Sequence, residues 1–136
     1  VAELIGAELP KHKIDGKSIV NLVKGTSDQS PQEAYYFYYG RQLQAMRMGK
    51  WKLHFPHGYR TMAGKPGGKG GIPTKYSQAK IGLALFDLDK DIGETTDVKD
   101  KHPEVVAKLQ KLGEAMRAEL GGNGRRGKGQ RDPGRL

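Results

Sequence analysis

The sequence predicts an α+β fold: a roughly four-stranded antiparallel sheet with a C-terminal amphipathic helix packed on one face, preceded by an irregular N-terminal segment. Three observations carry this. Four β-prone stretches lie between residues 34 and 88, two of them joined by the short step Gly49-Lys50. From Pro103 onward, apolar residues recur with helical spacing. The first 33 residues hold only short apolar clusters, broken by Pro10, Asp15-Gly16 and Gly25.

The elements follow in order. VAELIG reads as the last turns of a helix, and the chain opens on Val1 without an initiator Met, so a piece of a longer protein is expected. Ser18 is placed to cap a short helix through IVNLVK, ended by Gly25. AYYFYYG, Ala34 to Gly40, is a run of five aromatics bounded by turn residues, hence a strand. LQAMRM, Leu43 to Met48, follows as a second strand with mixed alternation: Leu43, Ala45 and Arg47 on one face, Gln44, Met46 and Met48 on the other. Gly49-Lys50 is a two-residue hairpin loop into WKLHF, where Trp51, Leu53 and Phe55 face one way and Lys52 and His54 the other. IGLALFDL, Ile81 to Leu88, is the fourth strand.

The helix is the plainest element. Pro103 suits the first helical position, and Glu104 favours the positive end of the helix. Val105, Leu109, Leu112, Met116 and Leu120 make an apolar stripe expected to pack near Trp51, Leu53 and Phe55, and Gly121-Gly122 ends the helix. Gly113 inside it costs about 1 kcal/mol relative to Ala, which packing of the stripe is expected to outweigh.

At 136 residues the chain is long enough for one modest core. No apolar run approaches the roughly 20 residues of a membrane span, so no membrane partner is expected, and no secretory signal core is present. The absence of cysteine excludes disulfides, thiolate zinc sites and Cys nucleophiles. The formal charge of +9 is uneven. Pro56 to Lys80 holds Arg60, Lys65, Lys69, Lys75 and Lys80 with no acid, and Gly121 to Leu136 holds Arg125, Arg126, Lys128, Arg131 and Arg135 against Asp132. These two glycine-rich segments account for the whole excess, so the rest of the chain is neutral. The first, too long and polar for a packed connection, is expected to be functional or disordered loop. Residues 123–136 have too few apolar side chains to pack and are expected to form a disordered basic tail. The expected organisation is 1–33, 34–122 and 123–136.

LFDLDKDIGETTDV, Leu85 to Val98, raises a calcium question. An EF-hand loop needs glycine at position 6 and a bidentate Glu at 12. Counted from Asp87, those positions hold Ile92 and Val98, so the spacing fails. The acids are instead expected to accept backbone N–H bonds in turns and to favour the nearby helix start.

ALFDLDKDIGETTDVKDKHPEVVAKL resembles the C-terminal signature of the type I sulfatases, the arylsulfatase-like enzymes, in which a Leu-Tyr-Asp-Leu strand precedes Asp-Pro-x-Glu-x-x-Asn and a His-Pro-Glu helix start. Leu85, Asp87, Leu88, Asp91, Glu94, His102, Pro103 and Glu104 match; Phe86, Ile92 and Asp97 depart from Tyr, Pro and Asn. MRMGKWKLHF is similar to the family's strand pair, and GAELPKHKIDGKSIVNLVKG resembles its passage leaving the catalytic domain. The resemblance implies the C-terminal subdomain of an enzyme that hydrolyses sulfate esters with calcium and a formylglycine, in a periplasmic or secreted parent. It also implies that the nucleophile, calcium ligands and sulfate-binding groups lie in an upstream catalytic domain, the chief partner of this chain. There is no Cys, and none of Ser18, Ser27, Ser30 or Ser77 has Pro two residues on and Arg four on. Ser27-Asp28-Gln29-Ser30 is only superficially like the family's metal-binding run. No catalytic residue, cofactor site or metal site is therefore expected within this chain, which alone is expected to be inactive.

In HFPHGYR the strand end is expected to approach the mouth of the family's active site, making His57, Arg60 and Lys65 candidates for contact with a sulfated substrate. His54 and His57 have neither a carboxylate nor a third His nearby in sequence to make a metal site. Nucleic acid is the rival partner, because YYFYY and the cations together suggest base stacking beside a basic groove. The aromatics lie in one strand that needs a core, however, and the cations in separate loops, which disfavours it. The alternative function is a binding module for anionic polymers, sulfated polysaccharide or nucleic acid.

Overall fold

A computed structural model of the chain describes residues 1–132. Contacts divide it into two units, Val1–Ala34 and Tyr35–Leu136. In the first, α1 (Ala2–Ile5) and α2 (Val20–Val23) are single turns. Gly6 and Gly25 follow them with φ of 66° and 67°, the left-handed conformation that stops a helix. Ile19, not Ser18, is the N-cap of α2; the Ser18 hydroxyl accepts the Val20 N–H at 3.3 Å. Val20 is buried.

The second unit is built on the four expected strands. β1 (Tyr35–Tyr39), β2 (Gln42–Met48) and β3 (Trp51–His54) form a meander, an inserted ribbon of β4 (His57–Thr61) and β5 (Ser77–Ile81) follows, and β6 (Ala84–Asp87) returns to pair with β3. All pairings are antiparallel, in the order β1-β2-β3-β6. Met46, Leu53 and Leu85 lie directly opposite one another across three strands, and each is 0% exposed.

The mixed alternation of LQAMRM has a cause. Between Phe37 and Tyr38 the register shifts: Phe37 faces Ala45 while Tyr38 faces Leu43. The extra residue is Gln44, and a bulge of this kind reverses the alternation beyond it. Leu43 thus joins Met46 on the helix side instead of Ala45 on the other, and all three are buried.

α3 (Pro103–Leu120) packs on β2 and β3. The His102 carbonyl accepts the Val105 and Val106 N–H groups, and its imidazole lies 4.6 Å from the Trp51 ring. The buried line of the helix is Val106, Leu109 and Gly113. Val105, Leu112 and Met116 flank it half-buried, and Leu120 is 45% exposed, so the expected stripe is rotated towards Gly113. The reason is steric. A Cβ on Gly113 would stand 2.4 Å from Phe55 Cζ, and only a residue without one lets the ring reach the helix. Arg117, one turn on, covers the same ring at 4.2 Å.

Two segments differ from expectation. Residues 56–80 are not plain loop: β4 and β5 pair from His57 opposite Ile81 to Thr61 opposite Ser77, leaving a largely exposed tip at 62–76. The expected strand Ile81 to Leu88 is accordingly divided between β5 and β6. The segment after the helix also carries backbone pairing. β7 (Gly121–Gly122) and β8 (Arg125–Arg126) pair across Asn123-Gly124, whose φ values are 51° and 81°. Both central residues at positive φ is the hairpin geometry that Asn-Gly favours. The chain then runs back along the helix end. Lys128 N–H donates to the Ala118 carbonyl (2.9 Å) and Gly129 N–H to that of Glu119 (2.8 Å), pairing carbonyls that a helix terminus leaves open. A Cβ on Gly127 would meet the Glu119 carbonyl oxygen at 2.2 Å, so the tight return requires glycine. Backbone hydrogen bonds and close backbone packing, not an apolar core, make up the contacts of this segment. Residues 133–136, Arg135 among them, lie outside the described residues. Among the described residues, no helix is long and apolar enough to cross a membrane.

Candidate functional site

β3 carries Lys52 and His54 on the sheet face opposite the helix, beside Phe86 and Ala84 of β6. Two basic side chains sharing one half-buried face need an acid, and the segment after β6 supplies it. The Asp91 carboxylate accepts the N–H groups of Thr95 (2.8 Å) and Thr96 (2.7 Å) and the Thr95 hydroxyl (3.0 Å). This turn holds Glu94 at φ 55°, unusual for a residue with a Cβ. The Glu94 carboxylate then reaches Lys52 Nζ at 2.5 Å and His54 Nε2 at 2.6 Å. Asp97 accepts the Leu85 and Lys99 N–H groups at 3.0 Å each, which pins the segment to β6. Asp91 and Asp97 thus play the turn-forming part expected of the acids, while Asp87 pairs with Lys50 at 2.8 Å.

Burial pushes the Glu94 carboxyl up, but the hydrogen bonds from Lys52 and His54 outweigh it and leave it below the usual carboxylate range. Burial also depresses the His54 imidazole below its ordinary value, against the opposing pull of Glu94. With Nε2–H donating to Glu94, a neutral His54 leaves Nδ1 bare, and that atom is buried without a partner among the described residues.

His57 continues the row: its ring stacks on His54 at 5.5 Å and 16°. Its Nδ1 lies 2.6 Å from the Phe55 carbonyl oxygen, which can only accept, so Nδ1 carries the hydrogen. Three residues on, the Arg60 guanidinium lies over the Tyr76 ring at 5.6 Å. Arg60 lines a shallow groove of about 350 Å³ with Tyr39, Gln44, Gly58, Tyr59 and Gln78. His57 and Arg60 therefore share β4, with Arg60 at the groove. Lys65 sits in the exposed tip beyond the strand, its N–H on the Met62 carbonyl at 3.0 Å, and does not line the groove. The carboxylate not found near the two histidines in sequence is Glu94, already engaged by Lys52. Among the described residues no group of three His, Cys, Asp or Glu side chains could hold a metal ion. Local sequence could not reveal Glu94 as the partner, but Lys52 and His54 at strand spacing signalled that some acid must meet them.

The coupling of His54 to burial makes stability depend on pH. A group whose folded pKa is depressed binds its proton more readily in the unfolded chain, so stability is lost as pH falls. For His54 the loss begins near the ordinary imidazole value of about 6.5 and ends at the lower folded value. The thermal midpoint is therefore expected to fall between pH 7 and 5, and His54→Gln, which keeps an N–H for Glu94, should flatten that interval. An identical slope in the variant would show that His54 is not the group responsible.

A bulged four-stranded antiparallel meander backed by one C-terminal helix, with a basic ribbon inserted before the last strand, defines an α+β domain. Residues 30–128 match the family model described as the C-terminal region of aryl-sulfatase, and the chain belongs to that family. It is 31% identical over 134 residues to steryl-sulfatase of Mus musculus, covering 88% of this chain and 22% of that protein. It is 30% identical over 133 residues to arylsulfatase A of Homo sapiens, covering 88% and 25%. The chain thus spans about a fifth to a quarter of the length of these relatives. A solved structure described under the metabolism of multiple glycosaminoglycans by Bacteroides thetaiotaomicron shares the fold, with a TM-score of 0.53 and 24% identity, over 85% of this chain and 23% of that one.

Proposed function

We propose that this chain is the C-terminal part of a sulfatase that hydrolyses sulfate esters, and that the β3–β4 corner with its ribbon forms part of the substrate entrance. His57, Arg60 and Lys65 meet the anionic substrate. The observation that carries this is the corner itself: Glu94 clamps Lys52 and His54, His57 stacks on His54, and Arg60 follows on the same strand beside an aromatic-lined groove. Such a corner holds cationic and hydrogen-bonding groups in fixed positions, which a substrate-positioning surface needs. The link of the structural neighbour to glycosaminoglycan metabolism makes sulfated saccharides the substrate class to try, beside aryl sulfates.

The residues present do not fit the calcium ion and formylglycine of the family: no suitable Cys or Ser motif exists, and no cluster of ligands forms among the described residues. An upstream catalytic domain of the same protein supplies both. The chain by itself should not turn over an aryl sulfate even with calcium added, and turnover would place the chemistry here. In the enzyme carrying this chain, Arg60→Ala is expected to raise KM for a sulfated oligosaccharide about fivefold with kcat within about twofold, as loss of uniform binding does. Arg131→Ala in the tail should leave KM unchanged. An unchanged KM for Arg60→Ala would return the ribbon to plain connecting structure. The second reading, a binding module for anionic polymers, is favoured by a different part of the chain, the C-terminal hairpin.

A further inference from the structure

The Tyr38 hydroxyl donates to the Gly121 carbonyl at 2.9 Å and ties the C-terminal hairpin to the β1–β2 hairpin. This brings together cations far apart in sequence. Arg41, in the β1–β2 turn, and Arg125 and Arg126, on β8, line one depression of about 230 Å³. Arg125 and Arg126 also line a second, adjoining depression with Lys128, Arg117 and Glu114. Arg126 is committed to Asp132 (2.6 Å) and the Gln130 carbonyl (3.1 Å). Arg41 and Arg125 are exposed, and their guanidinium groups have no hydrogen-bond or ion-pair partner among the described residues.

We propose that the depression between the two hairpins is a second anion site, in which Arg41 and Arg125 grip a sulfate group of a polysaccharide chain away from the scissile ester. Guanidinium forks match the geometry of oxyanions and bind them bidentately. The backbone that carries Arg125 is set by the Asn123-Gly124 turn and the glycine-dependent return at Gly127, which lowers the ordering that binding must supply. Cations lining two adjoining depressions suit a polymer better than a single small ion. Base stacking, which single-stranded nucleic acid needs, finds no free ring here: the lining aromatic is Tyr38, half-buried with its hydroxyl bonded. The choice of sulfate over other polyanions rests on the sulfatase reading; the site itself does not.

The test is binding of a sulfated dextran oligosaccharide to the intact protein at about 0.15 M salt, where diffuse attraction is screened beyond about 8 Å. The double variant Arg41→Ala/Arg125→Ala is expected to weaken binding about tenfold. Lys108→Ala/Lys111→Ala removes the same charge from the exposed face of α3 and should change it less than about twofold. Arg41→Lys/Arg125→Lys, which keeps charge and fold but loses the forks, should fall between. No loss in the Arg-to-Ala pair, or an equal loss in the Lys108/Lys111 pair, would overturn the site. Equal affinity for single-stranded DNA with the same dependence on Arg41 and Arg125 would overturn the choice of ligand. Measured again in the Arg60→Ala background, the loss from Arg41→Ala/Arg125→Ala should be the same size, because the two sites share no partner. The effect of Arg60→Ala on KM tests the entrance, so either reading can fail without the other.

Discussion

Replacing Leu109 with Ala is expected to lower the free energy of unfolding by about 2–5 kcal/mol, the range for buried Leu truncations. Leu109 is 0% exposed on the face of α3 that packs against β2 and β3, where Met46, Leu53 and Leu85 are equally inaccessible. Removing the isobutyl group leaves a cavity that a three-strand row and a helix cannot both close around. Leu120, on the same stripe by sequence but 45% exposed, provides the contrast: Leu120→Ala should stay within about 0.5 kcal/mol. Urea unfolding of the two variants decides it. A Leu109→Ala change as small as that at Leu120 would mean that α3 is not docked through this line.

What the sequence made legible is what local periodicity encodes. Trp51-Lys52-Leu53-His54-Phe55 alternates because one face meets a helix, and the helix start at Pro103 is written in residues adjacent to it. The ribbon left no such trace. His57–Thr61 and Ser77–Ile81 have little apolar alternation, since their pairing rests on backbone hydrogen bonds and much of both strands is exposed. The C-terminal hairpin did leave one: Asn123-Gly124 is a strong turn signal that low apolar content masked. At the candidate site, His57 and Arg60 could be read off one short stretch. Glu94 could not, because its role depends on a positive φ at a non-glycine and on partners 40 and 42 residues away. The groove lining from Tyr39 and Gln44 likewise depends on how β1 and β2 pass the ribbon.

Gly113 shows where composition alone misleads, and it yields the other large effect. Phe55→Ala should cost about 3–5 kcal/mol, because the ring is 4% exposed, meets α3 at Gly113 and lies under Arg117. Helix propensity by itself says that Gly113→Ala gains about 1 kcal/mol. In the intact chain the new methyl would stand 2.4 Å from Phe55 Cζ and 3.2 Å from both Cε atoms, and Arg117 limits the ring's retreat. Overpacking of this kind costs about 1–3 kcal/mol, so Gly113→Ala should destabilise. In the Phe55→Ala background the obstacle is gone and the same substitution should stabilise by up to about 1 kcal/mol. The sign reversal, read as the coupling in a double-mutant cycle, measures the Phe55–Gly113 contact itself. A Gly113→Ala that stabilises in both backgrounds would show that the ring does not bear on the helix there, and that the rotation of the buried line towards Gly113 has another cause.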